Sequence, residues 1–202
     1  MTDELAPANP EPFVIDGIRL YSLYQVNNLP GPEKERIYRH LLLSQLLVAY
    51  GIDLDSLSDD RGNRLVTFTC PEGSHMVEVD VRPEVGFPDP LFYLELNDTP
   101  LNQIEVSLFI VNDPCSERFE TDRDWRGQRT KFGTFRRNMP EEVRAMEAGL
   151  APGQVRRGLR LSRKLIPLFE RFVSRLGHDY YLLEPLTYHA AILFERLGCS
   201  YV

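Results

Sequence analysis

The sequence predicts an α+β fold, a mixed and mostly antiparallel sheet flanked by helices. Two patterns carry that prediction. Four strand-like segments follow one another between residues 65 and 111, joined by short polar turns. After residue 155 the period changes to that of a helix, followed by a short apolar strand and a second helix. The chain has 202 residues, 43% of them hydrophobic, enough for one domain with a sizeable core.

Taken in order, residues 1–12 are acidic and Pro-rich and read as a flexible lead-in, not as a secretory signal. Residues 13–202 read as one domain. Residues 13–23 (FVIDGIRLYSL) read as a first strand. Pro32 and Glu33 open a helix, with Pro and an acid in its first turn. Its apolar positions Ile37, Leu41, Leu42, Leu46 and Val48 continue to Gly51, a C-terminal stop. Residues 53–63 are polar and turn-like. The strands expected next are 65–70, 75–82, 91–96 and 104–111, with Ile104, Val106, Leu108 and Ile110 on one side of the last.

Residues 112–138 form a long irregular insert. Residues 139–151 admit two readings. Pro140, Glu141 and Glu142 suit a helix start, but the order of elements also allows a strand. From Val155 an apolar face of Leu159, Ile166, Phe169, Val173 and Leu176 predicts a helix to Gly177, kinked or divided at Pro167. A strand over 180–184, a helix over 188–197 and a last strand over 199–202 complete the chain.

Charge is unevenly spread. Residues 123–175 hold fourteen Lys and Arg against five Asp and Glu, a net of +9 in a chain of net −7, so the remainder carries −16. Such asymmetry suits either an anionic partner or attraction between oppositely charged parts of the fold. Trp125 lies among Arg123, Arg126, Arg129, Lys131, Phe132, Phe135, Arg136 and Arg137. That mixture suits stacking on nucleobases. It also suits a loop clamped on its own acidic domain, the reading preferred for an acidic chain, so nucleic acid is not an expected partner.

Several function classes find no support. Cys70, Cys115 and Cys199 are odd in number and far apart, which fits neither a disulfide framework nor a zinc site, and suggests a reducing, cytoplasmic setting. No apolar run approaches the roughly 18 residues of a membrane span. Glu78 and Asp80 share a strand face without a His or Cys, so a solvated face is expected rather than a metal site. Asp53, Asp55, Asp59 and Asp60 lack the spacing of a calcium loop. No Ser/His/Asp motif, Walker loop or dinucleotide fingerprint appears.

Two blocks near the end carry a resemblance. The first is Arg157-Gly158-Leu159-Arg160-Leu161-Ser162-Arg163-Lys164-Leu165-Ile166. The second is Thr187-Tyr188-His189-Ala190-Ala191-Ile192-Leu193-Phe194-Glu195-Arg196-Leu197-Gly198-Cys199. In order and spacing they resemble the cofactor-binding half of GNAT-superfamily acetyltransferases, over about a quarter of the chain. The resemblance implies a GNAT-like sheet and an acyl-CoA-dependent N-acyltransferase acting on an unidentified amine. It implies that residues 157–162 (Arg157, Gly158, Leu159, Arg160, Leu161 and Ser162) face the pyrophosphate of acetyl-CoA or another acyl-CoA at a helix start.

Departures from the family pattern matter. Arg160 stands for the first signature glycine, Thr187 for Asn, Cys199 for Phe, and Phe194 for the tyrosine that protonates the departing thiolate in many relatives. His189 is a candidate proton shuttle, and otherwise a surface or partly buried residue. Glu147 is a candidate base if 139–151 is a strand, and is lost if it is a helix. A non-catalytic GNAT-like domain is the alternative. The acceptor stays open, as does assembly, a homodimer included.

Overall fold

The computed structural model describes residues 10–129, 138–185 and 188–200, with no side chain described at 188–190 and 193. The protein is a mixed α+β structure around a five-stranded, mostly antiparallel sheet in the order β3-β4-β5-β6-β7. These strands are Val66–Thr69, Met76–Val81, Phe92–Asp98, Ile104–Val111 and Tyr181–Leu183. The four central expectations therefore hold to within about two residues at each end. Strict alternation is the reason. Val77, Val79 and Val81 of β4 are fully buried and lie opposite Leu96, Leu94 and Phe92 of β5. Each such side chain contributes on the order of 1.5–3 kcal/mol by leaving water.

Three expectations fail for local reasons. Residues 13–23 are not one strand. Val14–Ile15 (β1) and Ile18–Arg19 (β2) form a small antiparallel hairpin, and Leu23–Asn27 is a short helix, α1. The turn is Asp16-Gly17, both at positive φ (51° and 78°), the Asp-Gly pair that a two-residue hairpin loop favours. The long helix over 32–51 is broken. α2 spans Gly31–Tyr38, a 3-10 turn spans Arg39–Leu41, Leu42 is extended, and α3 spans Ser44–Ala49. Leu41, Leu42, Leu46 and Leu47 are all buried, and one straight helix could not turn all four inward. Gly51, at φ 67°, does end the segment.

The third failure concerns residues 155–161, which are not helical: α5 begins only at Ser162 and runs to Arg175. Pro167 lies inside α5 without dividing it. Residues 139–151 resolve in favour of a helix, α4, at Met139–Glu147. The last helix, α6, spans Tyr188–Arg196. Of the final expected strand, 199 and 200 are in no strand, and 201–202 lie outside the described residues.

The chain forms two compact units. The first ends at Ile110 and resumes over Leu161–Glu184, so it holds most of the sheet, α1–α3 and α5. The second holds Val111–Arg160 and the chain from Pro185 on. In the first unit, Tyr38 is fully buried and its hydroxyl donates to Asn27 Oδ1 at 2.6 Å. Asn27 Nδ2 donates in turn to the carbonyls of Ser74 and Met76, both at 2.8 Å, which ties α1 and α2 to the β3–β4 turn. In the second unit, Phe119, Ala145 and Leu150 form a small core. It is ringed by ion pairs of Arg144 with Glu117 and Glu141 and of Arg118 with Glu120 and Asp122.

Candidate functional site

Residues 155–158 lie along the beginning of the second unit. The Phe119 N–H donates to Val155 O at 2.8 Å and the Asp113 N–H to Arg157 O at 2.7 Å. The Arg157 N–H donates to Ser116 Oγ at 3.2 Å. Arg156 is buried and its guanidinium donates to the carbonyls of Pro114 and Ser116. These bonds hold the segment in irregular backbone and explain why the helical period of Val155 and Leu159 is not realised.

The six residues expected to face a pyrophosphate are thereby sorted. The Arg157 guanidinium donates to Ala148 O at 2.9 Å, the carbonyl just past the end of α4. A cation there is favoured by the helix dipole, so this side chain already has a structural use. A Cβ on Gly158 would lie 3.2 Å from Val111 O, a close approach that favours glycine. Leu159 is half-buried and Arg160 exposed. Arg160 has φ 56°, the left-handed region that a glycine enters without strain. Leu161 and Ser162 form the N-cap and first residue of α5, in the first unit.

The start of α5 is electrostatically unusual. Leu161 offers no side-chain cap, and the first turn contains no acid. The first bonds of the helix run from the Lys164 and Leu165 N–H groups to Leu161 O, at 2.9 and 3.0 Å. The N–H groups of Ser162 and Arg163 find no partner among the described residues. A helix N-terminus carries partial positive charge and usually attracts acidic side chains. Here Arg163 and Lys164 add two cations instead. Lys164 Nζ donates to Gln45 Oε1 at 2.9 Å, beside an open cavity of about 460 Å³ lined by Leu42, Leu43, Ser44, Gln45, Lys164 and Leu168.

The parallel pair of the sheet is short. β6 and β7 pair over Ile104↔Tyr181, Glu105↔Leu182 and Val106↔Leu183, and β6 continues to Val111. Burial follows the pairing. Ile104 and Val106 are buried, whereas residues 107–111 are half-buried.

The catalytic candidates fare differently. Glu147 is the exposed last residue of α4, so the strand position that recommended it does not exist. His189 belongs to α6, but its side chain lies outside the described residues. Thr187 also lies outside them. Phe194 is half-buried, and its carbonyl accepts the N–H groups of Leu197 and Cys199, both at 3.0 Å, as the chain turns at Gly198. Asp80 is paired with Arg82 at 2.6 Å, in keeping with a polar sheet face. Asp53 and Asp59 accept N–H groups within their own turns. Among the described residues no group of three His, Cys, Asp or Glu could hold a metal ion.

Sequence reasoning passed over Asp98. Its carboxylate, 5% exposed, accepts the N–H groups of Leu23 and Tyr24 at 2.8 Å each and contacts His75 Nδ1 at 3.3 Å. Tyr24 stacks on the His75 ring at 4.8 Å. No local pattern announces this cluster, because Asp98 lies 23 residues from His75 and 74–75 residues from Tyr24 and Leu23. Its evident work is to cap α1.

Comparison of the chain with protein-family models, with curated proteins and with solved structures gave no match. Among the described residues no helix is long and apolar enough to cross a membrane.

Proposed function

We propose that the protein is a GNAT-like, acyl-CoA-dependent N-acyltransferase acting on an amine. The observation that carries the reading is the start of α5. Its N–H groups at Ser162 and Arg163 have no partner among the described residues, and it has no capping side chain, no acid in its first turn, and cations at Arg163 and Lys164. Such a helix end suits the pyrophosphate of a CoA thioester. The order β6, α4, α5, parallel β7 adds support, since ligands of parallel strand–helix units gather beyond the carboxyl ends of the strands. Arg160 adds more: a non-glycine residue in a glycine conformation stands where the family signature has glycine.

In the proposed reaction a neutral amine attacks the thioester carbonyl. The N–C bond forms, the C–S bond breaks, the ammonium gives up a proton and the thiolate of CoA takes one. The role assigned to this chain's residues is binding and orientation, by the Ser162 and Arg163 N–H groups and the Arg163 and Lys164 cations. Isothermal titration with acetyl-CoA tests the reading. Saturable binding that weakens with salt is expected, and no heat at millimolar ligand would sink it.

A second reading, a GNAT-like domain without catalysis, is favoured by Phe194, which has no proton to give, and by Arg157, committed to Ala148 O. Thiol release from acetyl-CoA by the pure protein, over a panel of polyamines, amino acids and peptides, separates the two readings. Release with any acceptor refutes the second.

A further inference from the structure

The reading above leaves unused the turn at residues 124–128, which carries the only tryptophan of the chain. The turn is fixed from within. Asp124 is 3% exposed, and its Oδ1 accepts the N–H groups of Arg126 and Gln128, both at 2.9 Å. The Asp124 N–H donates to Gln128 O at 2.8 Å, the Gly127 N–H to Asp124 O at 2.9 Å, and Arg123 and Arg129 form a bridge below. Gly127 takes φ 75°, which closes the turn.

On this frame Trp125 is 71% exposed. A large indole left in water forgoes burial that would stabilise the fold by on the order of 2–3 kcal/mol. A loop clamped on its own protein through its tryptophan would not leave it there. The Arg126 guanidinium lies 4.4 Å from the indole centroid, which supports one face of the ring. Arg126 and Arg129 are exposed, and among the described residues no carboxylate pairs with either. The contrast is local: Arg118, Arg123 and Arg144 of the same unit are all matched with acids.

We propose that this turn binds an unpaired nucleobase together with its phosphate. Trp125 stacks on the base, and Arg126 and Arg129 neutralise the phosphate. An acidic peptide would use the two guanidiniums and leave the indole idle. A membrane would want apolar neighbours, whereas Trp125 is flanked by Asp124 and Arg126. The base and its phosphate can belong to a free nucleotide or to a single-stranded nucleic acid.

The single tryptophan reports directly. Its emission is followed in the full chain at low ionic strength, against oligothymidylate, thymidine monophosphate, a duplex of matching length and polyglutamate. Saturable quenching by the oligonucleotide, reversed by salt, is expected. A stronger response to the strand than to the mononucleotide assigns the ligand to single strands, and equal responses assign it to the nucleotide. In anisotropy of a labelled strand, Trp125→Ala should bind roughly tenfold more weakly, and Arg126→Gln should lower the salt dependence. Absence of quenching by both strand and nucleotide overturns the proposal. So does a duplex or polyglutamate that binds as well as the strand, or a Trp125→Ala variant that binds unchanged.

Discussion

Arg160 combines a backbone conformation typical of glycine with a large charged side chain. At φ 56° its backbone is in the left-handed region, which costs a side-chain-bearing residue about 1–2 kcal/mol. Glycine avoids that strain but loses about 0.5–1 kcal/mol of conformational entropy on folding. Arg160→Gly should therefore leave stability unchanged or raise it by up to about 1.5 kcal/mol, read from urea unfolding midpoints. A loss of stability would show that the exposed guanidinium makes a contact that matters.

His40 supports a second prediction at this scale. Burial, and then the Arg175 cation beside it, hold the His40 pKa below the usual histidine value. Arg175 Nη1 lies 2.9 Å from His40 Nε2, and its Nε donates to Glu11 O. The charged groups around this pair are Arg171 and Glu11, and the Phe13 ring lies 3.9 Å from the Arg175 guanidinium. The unfolded chain protonates His40 first as pH falls. Stability from the neutral ring is thus complete above about pH 6.5 and is lost on acidification through the depressed folded value. Unfolding midpoints of the native protein should fall below about pH 6.5 more steeply than those of His40→Gln, and parallel pH profiles would rule the effect out.

At the scale of elements, α5 joins the two arguments of the fold. Its inner face buries Leu165, Phe169, Phe172 and Val173, and its first turn has neither a capping side chain nor an acid. The sequence pattern found part of that face, Phe169 and Val173, and Gly177 as its end, but passed over Leu165 and Phe172. It misjudged the start, because Val155 and Leu159 continue the period into a segment whose backbone is held by Asp113, Ser116 and Phe119. Pro167 does not divide the helix, because packing of the buried face outweighs a missing bond on the exposed side. Pro167→Ala should then stabilise the protein by about 1–3 kcal/mol. A drop in midpoint instead would mean that the proline rigidifies a segment otherwise disordered before folding.

For the whole molecule, the relevant quantity is the coupling of folding to ligand. A CoA thioester bound only by the native state stabilises it by about 2.7 kcal/mol at a hundred times its dissociation constant. The thermal midpoint should rise with acetyl-CoA and fall back with salt, since the proposed contacts are N–H groups and cations. A midpoint that ignores acetyl-CoA but responds to an oligonucleotide would separate the function proposed for α5 from that proposed for Trp125.

The sequence by itself determined the α+β class, the antiparallel meander over residues 66–111 and the helix–strand–helix ending. Those rest on periodicity, and periodicity is a local property that burial then enforces. It also contained the hairpin at Asp16-Gly17 in plain form, hidden by the apolar residues on either side. Only the tertiary structure decided between helix and strand at Met139–Glu147, since a proline and two acids open a helix and the order of elements allowed either. It alone placed Asp98 under α1, drew the Arg157 side chain to Ala148 O, and left Trp125 in water. Each of those depends on which distant backbone groups need a partner, and a one-dimensional pattern does not record that.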